Sequence, residues 1–412
     1  MNIIKHTIFL KDVFFYTITA FGGPQAHVAL LLKKFVHKKK YLTEEELFEY
    51  YSFCQLLPGA SSTQLIGLIG YKKGGILLSL FTLMIWILPA AFFMCLLSFL
   101  FSNNNLKLSA DAFRFIHPMV IGFLIYSCIA AFSVSVKNTI TKIIVAIASI
   151  TTFIFIKTPW IFPVLIILGG AATNFSNKRI PEKENIRPRQ IKWTNIWLFI
   201  FIFVAAGYFS ETARKQNWVE KKQFNLFENF YRFGSFVFGG GDVLLPMMLD
   251  QYVEHPRSKQ NINNAVHLEK NELLSGFGVV RAIPGPVFSV ASFVGGVAFK
   301  NQGKLKQISG SIIATVAIFL PSILLMLFFY PVWNYLKRFV VVYRSLEGIN
   351  AVVVGLMIAA IIYLLKEISF TIFSINYFVD ISIIITTFLY LRFTSFPPPI
   401  LVAVVFILGF IF

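Results

Sequence analysis

The chain has 412 residues, of which 57% are hydrophobic and only 14% charged, and its mean hydropathy is +0.72. Soluble globular chains hold about 25% charged residues, so a water-facing surface cannot be built around this one and a polytopic membrane protein is the class that remains. The net charge of +18 (37 Lys and Arg against 19 Asp and Glu) is read as basic cytoplasmic loops, not as a nucleic-acid surface.

A membrane span needs about 20 apolar residues. The first apolar segment, 8–32, is broken by FGGP at 21–24 and followed by the basic run KKFVHKKK (33–40). Lys11 and Asp12 interrupt it, so no removable leader is expected. The second segment, 47–70, is broken by LLPGASS. Ordinary spans are predicted over 75–101, 113–136, 140–156 and 158–175. A basic linker (177–192) and a short apolar stretch (196–210) come next. The irregular type then returns, with 224–249 broken by FGGG and 272–299 by IPGP. Ordinary spans follow at 307–330, 347–365, 370–391 and 397–412, so the expected fold is all-α. Cys54, Cys95 and Cys128 lie scattered in apolar segments and are expected to be inert packing.

This order is an internal repeat. FGGP at 21–24 matches FGGG at 238–241, and Pro58-Gly59 matches Pro284-Gly285 at an offset of 226. At that offset Glu46-Leu47 falls on Glu272-Leu273, and the LP at 88–89 recurs at 320–321. The reading is a first repeat over 1–175, a linker with an extra hydrophobic segment over 176–222, and a second repeat over 223–412. Two halves with interrupted helices in matching places point to a secondary transporter. The stretch after the first FGG motif is far more basic than DQYVEHPRSKQNINNAVHLEK (250–270) after the second. By the positive-inside rule that contrast favours inverted repeats.

The breaks carry the candidate chemistry. Proline frees carbonyls and glycine lets the backbone turn. Such freed groups are tolerated in a membrane only inside protein or beside a wet cavity. A half-helix starting there aims its N–H groups and positive end at that cavity, which suits an anion. The candidate substrate-binding residues are Gly22, Gly23, Pro24, His27, Gln55, Pro58, Gly59, Gln64, Gly239, Gly240, Gly241, Arg281, Pro284 and Gly285. Arg281, an arginine at depth, would offset anionic charge, and Gln55 stands at its place in the first half. Ser61, Ser62 and Thr63 add hydroxyls. Glu46, Glu272 and Asp242 are candidates for gating or coupling, and His27 for carrying a proton. Close packing through small residues is the competing explanation of the breaks. No HExxH, acidic pair or Cys/His cluster argues for a metal, a cofactor or an embedded enzyme.

Together, FGGPQAH (21–27), LPGASSTQL (57–65), FGGGDVLLP (238–246) and RAIPGPVFSVASFVGG (281–296) resemble the chromate ion transporter family in its two-domain form. One departure is Ala60, where the family pattern has a second proline. The resemblance implies a multi-pass carrier of the bacterial inner membrane that moves chromate, often outward, giving resistance, through halves of opposite orientation. Its partners would be chromate or a sulfate-like dianion and the lipid bilayer, with no nucleic acid and with a homodimer open as an assembly. The expected mechanism places the anion near midplane on the amides of Pro58-Gly59 and Pro284-Gly285, with Arg281 beside it.

Overall fold

The computed structural model describes residues 6–21, 24–101, 114–155, 161–175, 193–238, 241–254, 266–333, 340–367, 375–394 and 396–411. Gly22, Gly23, Gly239 and Gly240 lie outside these residues, as do the side chains of Pro24 and Asp242.

Among the described residues the chain is helical, in the order the hydropathy and the breaks predict. The first repeat holds α1 (Thr7–Thr17), α2 (Pro24–Leu31), α3 (Glu44–Leu56), α4 (Ser61–Leu100), α5 (Ile116–Ser135), α6 (Thr139–Ile154) and α7 (Ile161–Ala172). The linker contributes α8 (Thr194–Lys215), whose apolar window is mostly exposed to lipid. The second repeat holds α9 (Lys221–Phe236), α10 (Leu244–Leu249), α11 (Lys270–Val279), α12 (Val290–Ala298), α13 (Lys304–Phe329), α14 (Val340–Glu367), α15 (Ile375–Phe393) and α16 (Pro398–Ile411). Each repeat carries a π-helical turn at the same place, Leu32–Lys38 and Asp250–Glu254. Among the described residues five helices are long and apolar enough to cross a membrane. The three cysteines are free, and Cys54 and Cys128 are buried.

The interrupted segments are re-entrant hairpins. α3 has 13 residues, about 20 Å at 1.5 Å per residue, too short for a hydrocarbon core of about 30 Å. Its first turn is tied back to the far limb by the Lys72–Glu46 ion pair. In the second repeat Lys300 pairs with Glu272 in the same way. Glu46 and Glu272 are also the third residues of capping boxes, with Thr43 and Glu269. Two of the three candidate coupling carboxylates, Glu46 and Glu272, are therefore at hairpin bases. α1 and α2 form a further hairpin, closed by Lys39–Asp12 at 2.9 Å. α9 and α10 form a fourth, with Arg232 held by Glu228 and Gln251.

The long helices settle the orientation. α4 bends at Gly74 and Gly75, and its run over 76–100 corresponds to α13, each with an internal proline, Pro89 and Pro321. Gln307, at the start of α13, donates to the Ser98 carbonyl at the end of α4. Tyr330, just past α13, packs on Tyr71 before the α4 bend, with ring centroids 5.6 Å apart. These equivalent helices are thus antiparallel, and the repeats are inverted. The bases of the Pro-Gly hairpins then face opposite membrane surfaces, and their tips meet between them. α14 completes the bundle against α5, α6 and α7, and α15 packs on α5.

Candidate functional site

The two Pro-Gly tips are broken as the sequence dictates. α3 ends at Leu56 and α4 starts at Ser61. α11 ends at Val279, and the chain resumes through short turns into α12. Gly59 has φ +108° and Gly285 φ +127°, a region open in practice to glycine alone. Their amides are not free. Gly59 donates to the Val237 carbonyl at 2.6 Å, and Gly285 donates to the Ala20 carbonyl at 2.9 Å. Val237 and Ala20 each precede the FGG motif of the other repeat. In this arrangement these amides join the two repeats and, against expectation, are not open to an anion.

Each tip also rests on the proline-containing helix of the opposite repeat. Ser322, following Pro321, accepts from the Ala60 amide at 3.1 Å. Ala90, following Pro89, sits against Gly285 and has no hydroxyl to do the same. Gln64 folds back on the first break, donating to the Pro58 carbonyl at 2.9 Å. The first tip is therefore held by side-chain hydrogen bonds that the second lacks at the equivalent contact.

All four hairpins contribute to one small enclosed cavity, lined by His27, Ala60, Ser61, Ser62, Gly241, Pro286, Val287 and Phe288. Its volume is about 10 Å³, room for a single water. His27 is 1% exposed, and neither ring nitrogen meets a hydrogen-bond partner. The Ala20 carbonyl is the backbone group beside its ring. The ring stands edge-on to Trp86 at 5.1 Å, and Tyr16 stacks on Trp86 at 5.2 Å. Trp86 donates its indole N–H to Thr63 at 3.0 Å, joining the first turn of α4 to this aromatic packing.

Arg281 is buried, as its candidate role requires, but against a different surface. It caps an apolar pocket lined by Val120, Phe123, Leu124, Leu245 and Phe277, with its guanidinium 5.3 Å from the Phe123 ring centre. Gln55 is exposed near the end of α3. The structure thus brings together His27, Gly241 and the two Pro-Gly tips, and sets Arg281, Gln55, Glu46 and Glu272 apart from their cavity. Sequence reasoning missed Ser322, Ala90, Val237 and Ala20. The recurring LP at 88–89 and 320–321 was the available pointer to the first two.

Inverted repeats, re-entrant tips that meet between them and a small buried cavity where they meet define a multi-pass membrane transporter. The particular family follows from comparison with known proteins: the chain belongs to the chromate transporter family, whose model matches residues 8–175 and again residues 224–410. These two matches coincide with the two structural repeats. A chromate transport protein of Cupriavidus metallidurans is 24% identical over 398 residues, covering 95% of this chain and 89% of that protein. An uncharacterized transporter of Methanocaldococcus jannaschii is 26% identical over 355 residues, covering 84% of this chain and 81% of that protein. No solved structure gives a significant match. The protein is a transporter and not an enzyme.

Proposed function

We propose that this protein is a secondary carrier that expels chromate across the bacterial inner membrane by alternating access and so confers chromate resistance. The observation that carries the reading is the cavity at which the tips of both inverted repeats meet. In inverted-repeat carriers the substrate lies near midplane between the repeats, and rocking of one against the other opens it to each side in turn. Here each Pro-Gly tip is bonded to the residue before the FGG motif of the other repeat, in two equivalent hydrogen bonds, so parting them is a symmetric way to open the cavity. Membership of the chromate transporter family and the likeness to a chromate transport protein support the substrate class.

The driving force need not involve a second ion. Moving two negative charges outward through an inside-negative potential of 100 mV releases roughly 4.6 kcal/mol, from about 2.3 per charge. Arg281, three residues before Pro284 on the same hairpin, supplies positive potential on the side of the second tip. His27, which lines the cavity, and Asp242, which follows the second FGG motif in sequence, are the coupling groups in this reading. The reading holds for a monomer and for a homodimer alike.

The test is uptake of labelled chromate into everted vesicles under an imposed potential, with sulfate as competitor. Saturable uptake that follows the potential is expected. Sulfate uptake without chromate uptake would replace the substrate, and no uptake of either would end the carrier reading. Unchanged uptake in Arg281→Ala would remove that residue from the path.

A further inference from the structure

We propose, resting on the carrier reading above, that the transported oxyanion is seated between the first turn of α4 and the His27 ring. It is taken by the main-chain N–H groups of Ser61 and Ser62, by their hydroxyls and by an imidazole N–H. In the closed arrangement the glycine amides at the breaks are each bound to a carbonyl of the other repeat, so the seat is built from other donors.

The first amides of a helix have no acceptor within it. At some helix starts such groups are met by side chains, as Thr43 does for α3 and Asn138 for α6; the starts of α5, α9 and α13, like that of α4, carry no side-chain cap. The N-cap of α4 is Ala60, which offers no side-chain acceptor. The turn it begins lines the cavity with Ser61 and Ser62. His27 lines the same cavity, buried, with no side-chain partner on either ring nitrogen and the Ala20 carbonyl as the backbone acceptor beside its ring. A buried imidazole always carries at least one N–H, and the Ala20 carbonyl beside the ring already accepts from Gly285. Two independent groups therefore present donors to one small space.

The chemistry of that space selects the ligand. The described polar groups on its wall are amides, hydroxyls and an imidazole, and no described lining residue is a carboxylate. The positive end of α4 adds to them. An anion rich in acceptor oxygens fits such a wall, and a cation does not. The seat is lopsided although the repeats are equivalent: at the offset of 226, Ser61-Ser62 become Val287-Phe288. The second repeat supplies the apolar wall. At about 10 Å³ the cavity does not admit a four-oxygen anion, so the seat opens only when the tips part and takes its ligand with them.

The test uses the full chain in proteoliposomes and in detergent, with labelled sulfate for binding and chromate for transport. His27→Phe keeps a ring and removes the donors; His27→Gln keeps a donor. Ser61→Pro deletes one amide at the first helical position, where proline is well tolerated. Ala60 at ψ 90° lies near the extended range that a following proline requires. Ser61→Ala keeps the amide. His27→Phe and Ser61→Pro are expected to raise the sulfate Kd and the chromate KM about tenfold or more; Ser61→Ala, which loses one hydroxyl and keeps the amide, is expected to raise them by roughly half as much on a logarithmic scale, and His27→Gln by less than His27→Phe. Unchanged constants in His27→Phe and Ser61→Pro, at an unchanged melting temperature, would overturn the seat. Should either variant fail to fold, amide exchange of the wild-type protein decides: sulfate must slow exchange over 61–63, and unaltered exchange there overturns the proposal. If the wild type moves neither anion, the carrier reading falls, while sulfate protection at 61–63 still rules on the seat by itself.

Discussion

Gly59 donates its amide to the Val237 carbonyl at 2.6 Å, across the boundary between the repeats, and Gly285 does the same to Ala20 at 2.9 Å. Both glycines hold a positive φ, so the contact depends on a backbone that other residues adopt only under strain. Gly285→Ala is expected to lose about 1–3 kcal/mol from this strain. Gly59→Ala is expected to lose more, because its new Cβ would lie 1.8 Å from Ser322 Oγ, against 2.9 Å from Ala90 Cβ at the second tip. Thermal unfolding in detergent orders the two. Equal losses would show that the two contacts are not distinguished by Ser322.

Ser322→Ala deletes the acceptor of the buried Ala60 amide. The expected cost is about 1–3 kcal/mol, with faster amide exchange at the first tip and little change at the second. Exchange that rises equally at both tips would contradict the one-sided hold that Ser322 and Gln64 provide.

The ion pairs at the hairpin bases differ in exposure. The Glu46 side chain is 36% exposed and that of Glu272 only 8%. Glu46→Gln is expected to cost under about 1 kcal/mol and Glu272→Gln about 3 kcal/mol, as read by melting temperature. The Lys72 hydrogen bond, aided by the Thr43 amide, lowers the pKa of Glu46 from the usual 4.5. A depressed carboxylate stabilises the fold above its unfolded pKa and loses that contribution as pH falls through the folded value. The Glu46 contribution should therefore be intact at neutral pH and disappear only on acidification below about 4.5. A melting temperature that falls on raising the pH from 5 to 7, and only when Glu46 is present, would reverse the sign.

The antiparallel course of 76–100 and α13 places the two hairpin bases on opposite membrane faces. Glu45 and Gln302 are both exposed at those bases. In a background lacking Cys54, Cys95 and Cys128, Glu45→Cys and Gln302→Cys are expected to react with an impermeant maleimide from opposite sides. Labelling of both from one side would refute the inversion.

Local chemistry was enough to expose much of this design. Hydropathy marked the spans, Pro58-Gly59 and Pro284-Gly285 marked where helices must break, and their offset marked the repeat, because burial in lipid and the limits of proline and glycine act residue by residue. Loop charge even pointed to the inversion. Which groups meet at the breaks was out of reach: Val237 and Ala20 offer only carbonyls, which every residue has, and Ser322 resembles any other helical serine. Proximity to Pro284 made Arg281 look like part of the seat, yet the turn of α11 directs it onto Phe123. Only folding decided that the glycine amides lock the repeats and that His27, Ser61 and Ser62 share a cavity, since those pairings join segments far apart in the chain through the packing of inverted hairpins.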